Sequence, residues 1–348
     1  MRQTLLRFVP DWWACDLLAN PARIGAGFLL LAWLAYAVFW LMHQRRSGQG
    51  RERNPGAAII WLLFAGLICW VPGRVDGGVP VYGYGFMMFL GFVGGGWWAT
   101  VRAARVGIKT EVIWDAGLWI FFGGVAGARL FYLIQYRDRV FAGKQGADLI
   151  KAAVNLSDGG LVFYGGMILG AIGYWIFCRR SGTNPLLLGD VAMPSVFLGM
   201  AFGRLGCLLN GCCFGDRCEL PWAIQFPAQS VPFNVLVNRG FLDPQAAASL
   251  PLHPTQIYSS INALVLAAIT ATYFRSRPRH GAVLAVGFVA YPISRLVIER
   301  LRGDEMGQFG TSLTIAQWVS LGVSACSLIY LCLLLRGPAA DSPQSSST

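Results

Sequence analysis

Residues 112–136 read VIWDAGLWIFFGGVAGARLFYLIQY, a stretch interrupted by one acid, Asp115, and one base, Arg129. About 20 mostly apolar residues suffice to cross the hydrocarbon core of a bilayer as a helix. Inside this run, Gly123, Gly124 and Gly127 recur at the small-xxx-small spacing that lets helix backbones approach closely in lipid. Comparable runs lie at 24–42, 57–72, 81–101, 160–178, 187–209, 254–274, 281–299 and 313–335. About nine spans are predicted, with 57–72 the shortest. Strand-like alternation is absent, which argues against a β-barrel. The expected fold is an all-α integral membrane protein, a polytopic helix bundle.

Composition supports the same class. The 348 residues are 55% hydrophobic and only 13% charged, against about 25% charged in soluble domains. Mean hydropathy is +0.52. Disordered, collagenous and disulfide-stapled secreted chains are excluded. The net charge of +11 does not point to nucleic acid, because the basic residues sit in short clusters between apolar runs. Clusters such as Arg45/Arg46, Arg179/Arg180 and Arg275/Arg277 fall in loops 43–56, 102–111, 179–186 and 275–280 or the tail, all on one side if the spans alternate. The positive-inside rule makes that side cytoplasmic, with the N-terminus outside and the C-terminus inside. Loop 137–159, with Arg137, Arg139, Lys144 and Lys151, is the exception. No cleavable signal peptide is expected, since Pro10, Asp11 and Asp16 break residues 1–20. Trp12 and Trp13 read as an interfacial anchor, 210–253 as a small irregular outer cap, and 337–348 as a disordered tail.

Charges inside the spans mark the chemistry. Arg129, Arg204 and Arg295 each cost about 2.5–3.5 kcal/mol at a helix centre, so each needs a partner or an aqueous cavity. Tyr291, Arg295 and Glu299 follow at i, i+4, i+8 and share one helical face. Such a stripe reads either as a self-neutralising Arg295–Glu299 pair or as a guanidinium held for an anion, with Glu299 orienting it. A guanidinium grips phosphate through a planar fork. A second constellation runs Gly203-Arg204-Leu205-Gly206-Cys207-Leu208-Leu209-Asn210-Gly211-Cys212-Cys213-Phe214-Gly215. Two more begin helices on the same side: Asp158 through Gly166, with Tyr164, Gly165 and Gly166, and His253-Pro254-Thr255-Gln256-Ile257-Tyr258. A basic, Gly-rich, Tyr-lined pocket at that depth suits a phospholipid headgroup.

These clusters, in this order, resemble the prolipoprotein diacylglyceryl transferase family of bacterial inner-membrane enzymes. The resemblance rests on Tyr84-Gly85, on Gly127-Ala128-Arg129-Leu130 with Tyr132, and on the paired glycines at 159–166. Asp190 and Pro194 precede Gly203-Arg204 and Asn210-Gly211 with Gly215. Then follow the His253–Tyr258 motif, Tyr291 through Arg295, Glu299 and Arg302 to Asp304, and Gln317. It covers 79–336, a seven-helix core, and leaves 1–78 as an N-terminal extension with two further helices. It implies transfer of diacylglycerol from phosphatidylglycerol to a lipobox cysteine of prolipoproteins, with glycerol phosphate leaving, in a bacterial cytoplasmic membrane. Phosphatidylglycerol, prolipoproteins and membrane lipids are the implied partners, and no cofactor is implied. The residues expected to carry it are Arg204, Arg295, Tyr164, Tyr84 and Glu299 for catalysis. Arg204, Asn210, Gly211, Gly215, Gly165, Gly166, Arg129, Gln256, Tyr258 and Tyr291 are expected to bind substrate. The arginines would stabilise phosphate charge as it develops, and the acceptor thiol must be made a thiolate.

Departures from the family pattern stand beside the matches. Tyr164 replaces the histidine of a His-Gly-Gly motif, and an unperturbed phenol titrates too high to act as a base at neutral pH. Cys207 and Cys212 stand where the signature has a carboxamide and a carboxylate, and Ser259 stands for a glutamate. Cys207, Cys212, Cys213 and Cys218 therefore read as structural disulfides or plain packing, as a catalytic or redox thiol, or as a metal site. Their C-x4-C-C-x4-C spacing is not that of a zinc ribbon, and no metal is expected. Two other function classes compete with the transferase: a membrane thiol oxidoreductase using these cysteines, and a phospholipid-binding or transport protein without chemistry.

Overall fold

The computed structural model describes residues 4–17, 19, 21–46, 55–143, 145–155, 159–277, 279–302 and 315–336. Lys144, Asp158, Asp304 and the expected disordered tail 337–348 lie outside the described residues. Each apolar run falls on a helix: α1 Ala26–Arg46, α2 Pro55–Trp70, α3 Gly83–Ala104 and α4 Thr110–Gln135. Two short helices follow, α5 Arg137–Phe141 and α6 Ala147–Val154, then α7 Phe163–Ser181 and α8 Pro185–Asn210. After α9, Val231–Asn238, come α10 Thr255–Ser276, α11 Ala282–Glu299 and α12 Ile315–Arg336. Among the described residues, α4, α8, α10, α11 and α12 have the length and apolarity to cross a membrane. The chain is a mostly helical, multi-pass membrane protein.

Helix ends follow local chemistry. Gly182 follows Ser181 and closes α7 in the left-handed region at φ 67°, with Arg179 and Arg180 in the last turn. Asn184 then caps α8, its Oδ1 accepting from the amides of Leu186 (2.9 Å) and Leu187 (3.3 Å). Pro185 occupies the first helical position, where a missing N–H costs nothing.

A small four-stranded sheet departs from the helix-only expectation. Strands β1 Thr4–Val9, β2 Cys15–Asp16, β3 Ala22–Gly25 and β4 Val79–Tyr82 lie in the order β2-β3-β1-β4. β1 runs parallel to β3 and antiparallel to β4, with Arg7 opposite Pro80 on an edge strand. Segments this short carry no legible alternation, and the pairing joins residues far apart in sequence. Trp12 and Trp13, expected as an interfacial anchor, lie exposed in the β1–β2 turn.

Two compact units interleave along the chain. One comprises Met1–Phe89, Phe202–Ser260 and Leu301–Glu305; the other comprises Leu90–Ala201, Ile261–Arg300 and Met306–Thr348. In the first, the cap expected at 210–253 has its own core of Phe214, Phe226, Leu236 and Leu252. Three isolated bridges fasten it, Arg217 and Ile224 to Leu252, and Pro227 to Ala248. In the second, the core gathers Ala103, Leu188, Val191, Phe197, Ala267 and Val283 among others.

Two buried ionic groups brace the second unit. Asp190, fully buried on α8, accepts from the amides of Gly281 (2.7 Å) and Leu284 (2.9 Å) at the start of α11. A carboxylate there satisfies orphan amides and meets the positive end of the helix dipole. Arg102, counted above in an inner loop, is instead a buried residue of α3, 3% exposed. Its Nε donates to Val191 O at 2.9 Å and its Nη2 to Ser195 Oγ, while the guanidinium lies 4.4 Å from the Trp98 ring centre. Pro194 sits between those two acceptors and brings no amide of its own to the α8 ladder.

Candidate functional site

In the first unit the end of α8 turns sharply into the cap. Gly211 takes φ 78°, a left-handed conformation that glycine adopts at no steric cost, and Cys213 follows at φ 58°, where a side chain is uncommon. The Cys212 amide donates back to Cys207 O at 3.1 Å. The loop is pinned from α10: Gln256 Nε2 donates to Cys212 O and Thr255 Oγ1 to Cys213 O, each at 2.8 Å. Both of these α10 residues are buried, at 1% and 2% exposure. Gly215 leaves no room for a Cβ, which would lie 2.6 Å from His253 Cβ and 2.7 Å from Leu301 O.

This turn brings the Sγ atoms of Cys207, Cys212 and Cys213 within 4.8 Å of one another. Cys218 does not join them and lies buried in the cap. All nine cysteines are free thiols. Hydrogen bonds from Cys207 and then Cys213 push the pKa of the Cys212 thiol down, and the Asn210 side chain adds a third. Tyr84 lies within electrostatic range of the three thiols and of Arg204, and packs on Gly206, whose added Cβ would stand 3.1 Å from its ring. Arg204 itself is half-buried on α8. Tyr258 accepts from Trp222 Nε1 at 2.7 Å and lies 3.4 Å from His253 Nδ1. The structure thus gathers Tyr84, Arg204, Asn210, Gly211, Gly215, Gln256 and Tyr258 in one unit. Thr255, which holds the loop as firmly as Gln256, lies within the His253–Tyr258 motif but is not among the expected substrate contacts, because a lone hydroxyl carries no charge signal of its own.

The second unit holds the other candidates. Arg295 Nη2 lies 3.1 Å from Glu299 Oε2, with side-chain exposures of 21% and 1%. Tyr291, one turn before, packs on Phe197 with ring centres 6.1 Å apart. Arg129 directs Nε to Ala153 O (2.9 Å), Nη2 to Ala152 O (2.7 Å) and Nη1 to Gly159 O and Gly160 O (2.9 and 3.1 Å). Four of its donors meet backbone carbonyls, so it clamps the segment that leads into α7. Gly165 and Gly166 lie where α7 crosses α4: a Cβ on Gly165 would stand 2.4 Å from Gly127 O, and one on Gly166 3.1 Å from Gly124 O. Tyr164, one position earlier, is 43% exposed with its ring edge-on to Phe163.

Comparison with known proteins adds an independent line. Residues 71–333 match the family model described as prolipoprotein diacylglyceryl transferase. The chain is 32% identical over 432 aligned residues to a phosphatidylglycerol--prolipoprotein diacylglyceryl transferase of Rhodopirellula baltica, covering 91% of this chain and 86% of that one. That share is more than residues 79–348 can supply, so the likeness reaches into the N-terminal extension. A protein of the same name from Clostridium tetani is 32% identical over 244 residues, 70% of this chain and 89% of the relative. Another, from Gloeobacter violaceus, is 31% identical over 247 residues, 70% of this chain and 85% of the relative.

Proposed function

The chain belongs to the prolipoprotein diacylglyceryl transferase family, and from that premise we propose that it transfers the diacylglyceryl group of phosphatidylglycerol to the lipobox cysteine of a prolipoprotein. The reaction is a substitution at carbon. A sulfur–carbon bond forms, the carbon–oxygen bond to phosphate breaks, and glycerol phosphate departs with the electron pair. Charge builds on the phosphate as it leaves, so preorganised cations accelerate the step.

The observation that carries this reading is a half-buried arginine held by a buried glutamate in an apolar helix, Arg295 with Glu299 at 3.1 Å. A bare self-neutralising pair would satisfy lipid insertion equally, but family membership supports the anion-holding role. Glu299 fixes the fork, and the remaining guanidinium edge is what a phosphate needs. Arg204, beside Tyr84 and the glycine-rich turn, is assigned to stabilise the leaving phosphate. Tyr84 and Tyr164 serve as neutral donors. Asn210, Gly211, Gly215, Gln256, Tyr258 and Tyr291 shape the headgroup and acceptor contacts. Arg129 contributes by holding the segment before Tyr164.

We assign the protein to the bacterial cytoplasmic membrane, with the N-terminus outside, the C-terminus inside, and the described helices α1–α4, α7, α8 and α10–α12 as spans. Residues 79–336 form the family core, and 1–78 an addition in front of it. Complementation tests the function directly. Expressed in a bacterium depleted of its own transferase, the chain restores growth and adds diacylglycerol to a reporter lipoprotein, read by mass spectrometry. A correctly inserted protein that leaves the reporter unmodified would overturn the assignment.

A further inference from the structure

Neither the arginine chemistry nor the packing of the cap accounts for three thiols meeting at one point. We propose that Cys207, Cys212 and Cys213 form a three-thiolate site for a thiophilic d10 cation, zinc(II) or copper(I), with a fourth position open to an incoming thiol. The donor set is all sulfur, which selects a soft or borderline ion over the oxygen-seeking magnesium and calcium. A zinc–sulfur bond of about 2.3 Å places tetrahedral ligands about 3.8 Å apart, inside the 4.8 Å that bounds the three Sγ atoms. A disulfide uses two sulfurs and gives the third no reason to converge.

The site is also built in advance. Cys207 comes from the last turn of α8, and Cys212 and Cys213 from the turn beyond it. The left-handed backbone at Gly211 and Cys213 folds the chain back on itself. Buried Gln256 and Thr255 lock the carbonyls of Cys212 and Cys213. Such second contacts orient metal ligands before the ion arrives. Nothing in the spacing C-x4-C-C announces this, because the ligands converge only through that turn.

The open position rests on the transferase reading above and deepens it. A thiol that coordinates a d10 cation is deprotonated: its S–H bond breaks, the proton passes to solvent, and a metal–sulfur bond forms. The bound thiolate then attacks the glyceryl carbon while the carbon–oxygen bond breaks toward phosphate. No electron changes hands, so no oxidant is required, and the thiolate is supplied without a neutral-pH base.

The test begins with metal content. The full chain, purified in detergent under reducing conditions, carries close to one equivalent of zinc or of copper, each measured separately by elemental mass spectrometry. Cys207→Ser, Cys212→Ser and Cys213→Ser lose it, and Cys218→Ser keeps it. Where a serine variant misfolds, alkylation of the unmodified chain decides: metal protects these three cysteines from iodoacetamide, and chelation exposes them. In the cobalt(II)-loaded protein, a lipobox peptide increases the thiolate-to-cobalt charge-transfer absorption, and its Cys→Ser counterpart does not. A chain that carries no metal, whether its thiols are free or its intact mass is short by two hydrogens, overturns the proposal, as does alkylation indifferent to metal. Full transferase activity after metal removal would overturn the thiol-activating role alone. A loaded, peptide-binding protein without transferase activity would instead overturn the functional reading and leave the metal site standing.

Discussion

In the proposed mechanism the chemistry turns on Arg204 and Arg295, and each has different surroundings. Arg295 has Glu299 at 3.1 Å, while Arg204 stands in electrostatic range of the same Tyr84 that faces the thiols. Loss of a preorganised donor to developing charge costs about 10²–10³ in rate, or about 2.7–4 kcal/mol. Arg204→Ala and Arg295→Ala are expected to lose that much in glycerol phosphate release from phosphatidylglycerol. Arg204→Lys and Arg295→Lys fall as well, because a point charge cannot reproduce a bidentate fork. Tyr164→Phe loses less than either alanine variant, since a neutral donor contributes less than a charged one. Release assays on each folded variant check the order; near-normal turnover in Arg204→Ala would remove the phosphate-stabilising role.

At the scale of elements, the α4–α7 crossing decides how Tyr164 is presented. A Cβ on Gly165 would press to 2.4 Å from Gly127 O and 2.5 Å from Phe131 Cβ, so Gly165→Ala must move the two helices apart. Overpacking of this kind costs about 1–3 kcal/mol. A lowered unfolding midpoint in detergent, with activity lost in parallel, is the expected result; an unchanged midpoint would mean that the crossing is looser than described. The small-xxx-small spacing of Gly123 and Gly127 made this contact legible in sequence, because close approach in lipid requires small residues. The motif marks Gly165 and Gly166 on the facing helix as substrate contacts, and their packing task emerges only when α7 is laid on α4. The Arg295–Glu299 pair was legible from helical periodicity alone. The sheet was not, since β1 finds β4 across two intervening helices. Arg102 was hidden for a related reason: its partners Val191 and Ser195 lie on another helix, and its position near a loop looked like ordinary topology.

For the whole molecule, composition fixed the class, while counting spans and orienting them depend on where the basic clusters lie. Reporter tags at the N-terminus and within 210–253 are expected to report from the outer side, and tags at 43–56 and the C-terminus from the inner side. A C-terminal tag accessible from outside would reverse the orientation and move the glycine-rich turn to the cytoplasm. The family assignment makes one demand that binding or thiol redox chemistry does not make: consumption of phosphatidylglycerol coupled to a thioether on the acceptor. Its most direct measurement uses the purified chain reconstituted with phosphatidylglycerol and a lipobox peptide. Mass spectrometry follows the peptide while free glycerol phosphate is quantified. Peptide gaining one diacylglyceryl group on cysteine, in step with glycerol phosphate and only when phosphatidylglycerol is present, is the predicted result. A folded protein that binds the lipid, or oxidises the peptide thiol, yet yields neither product would contradict the account.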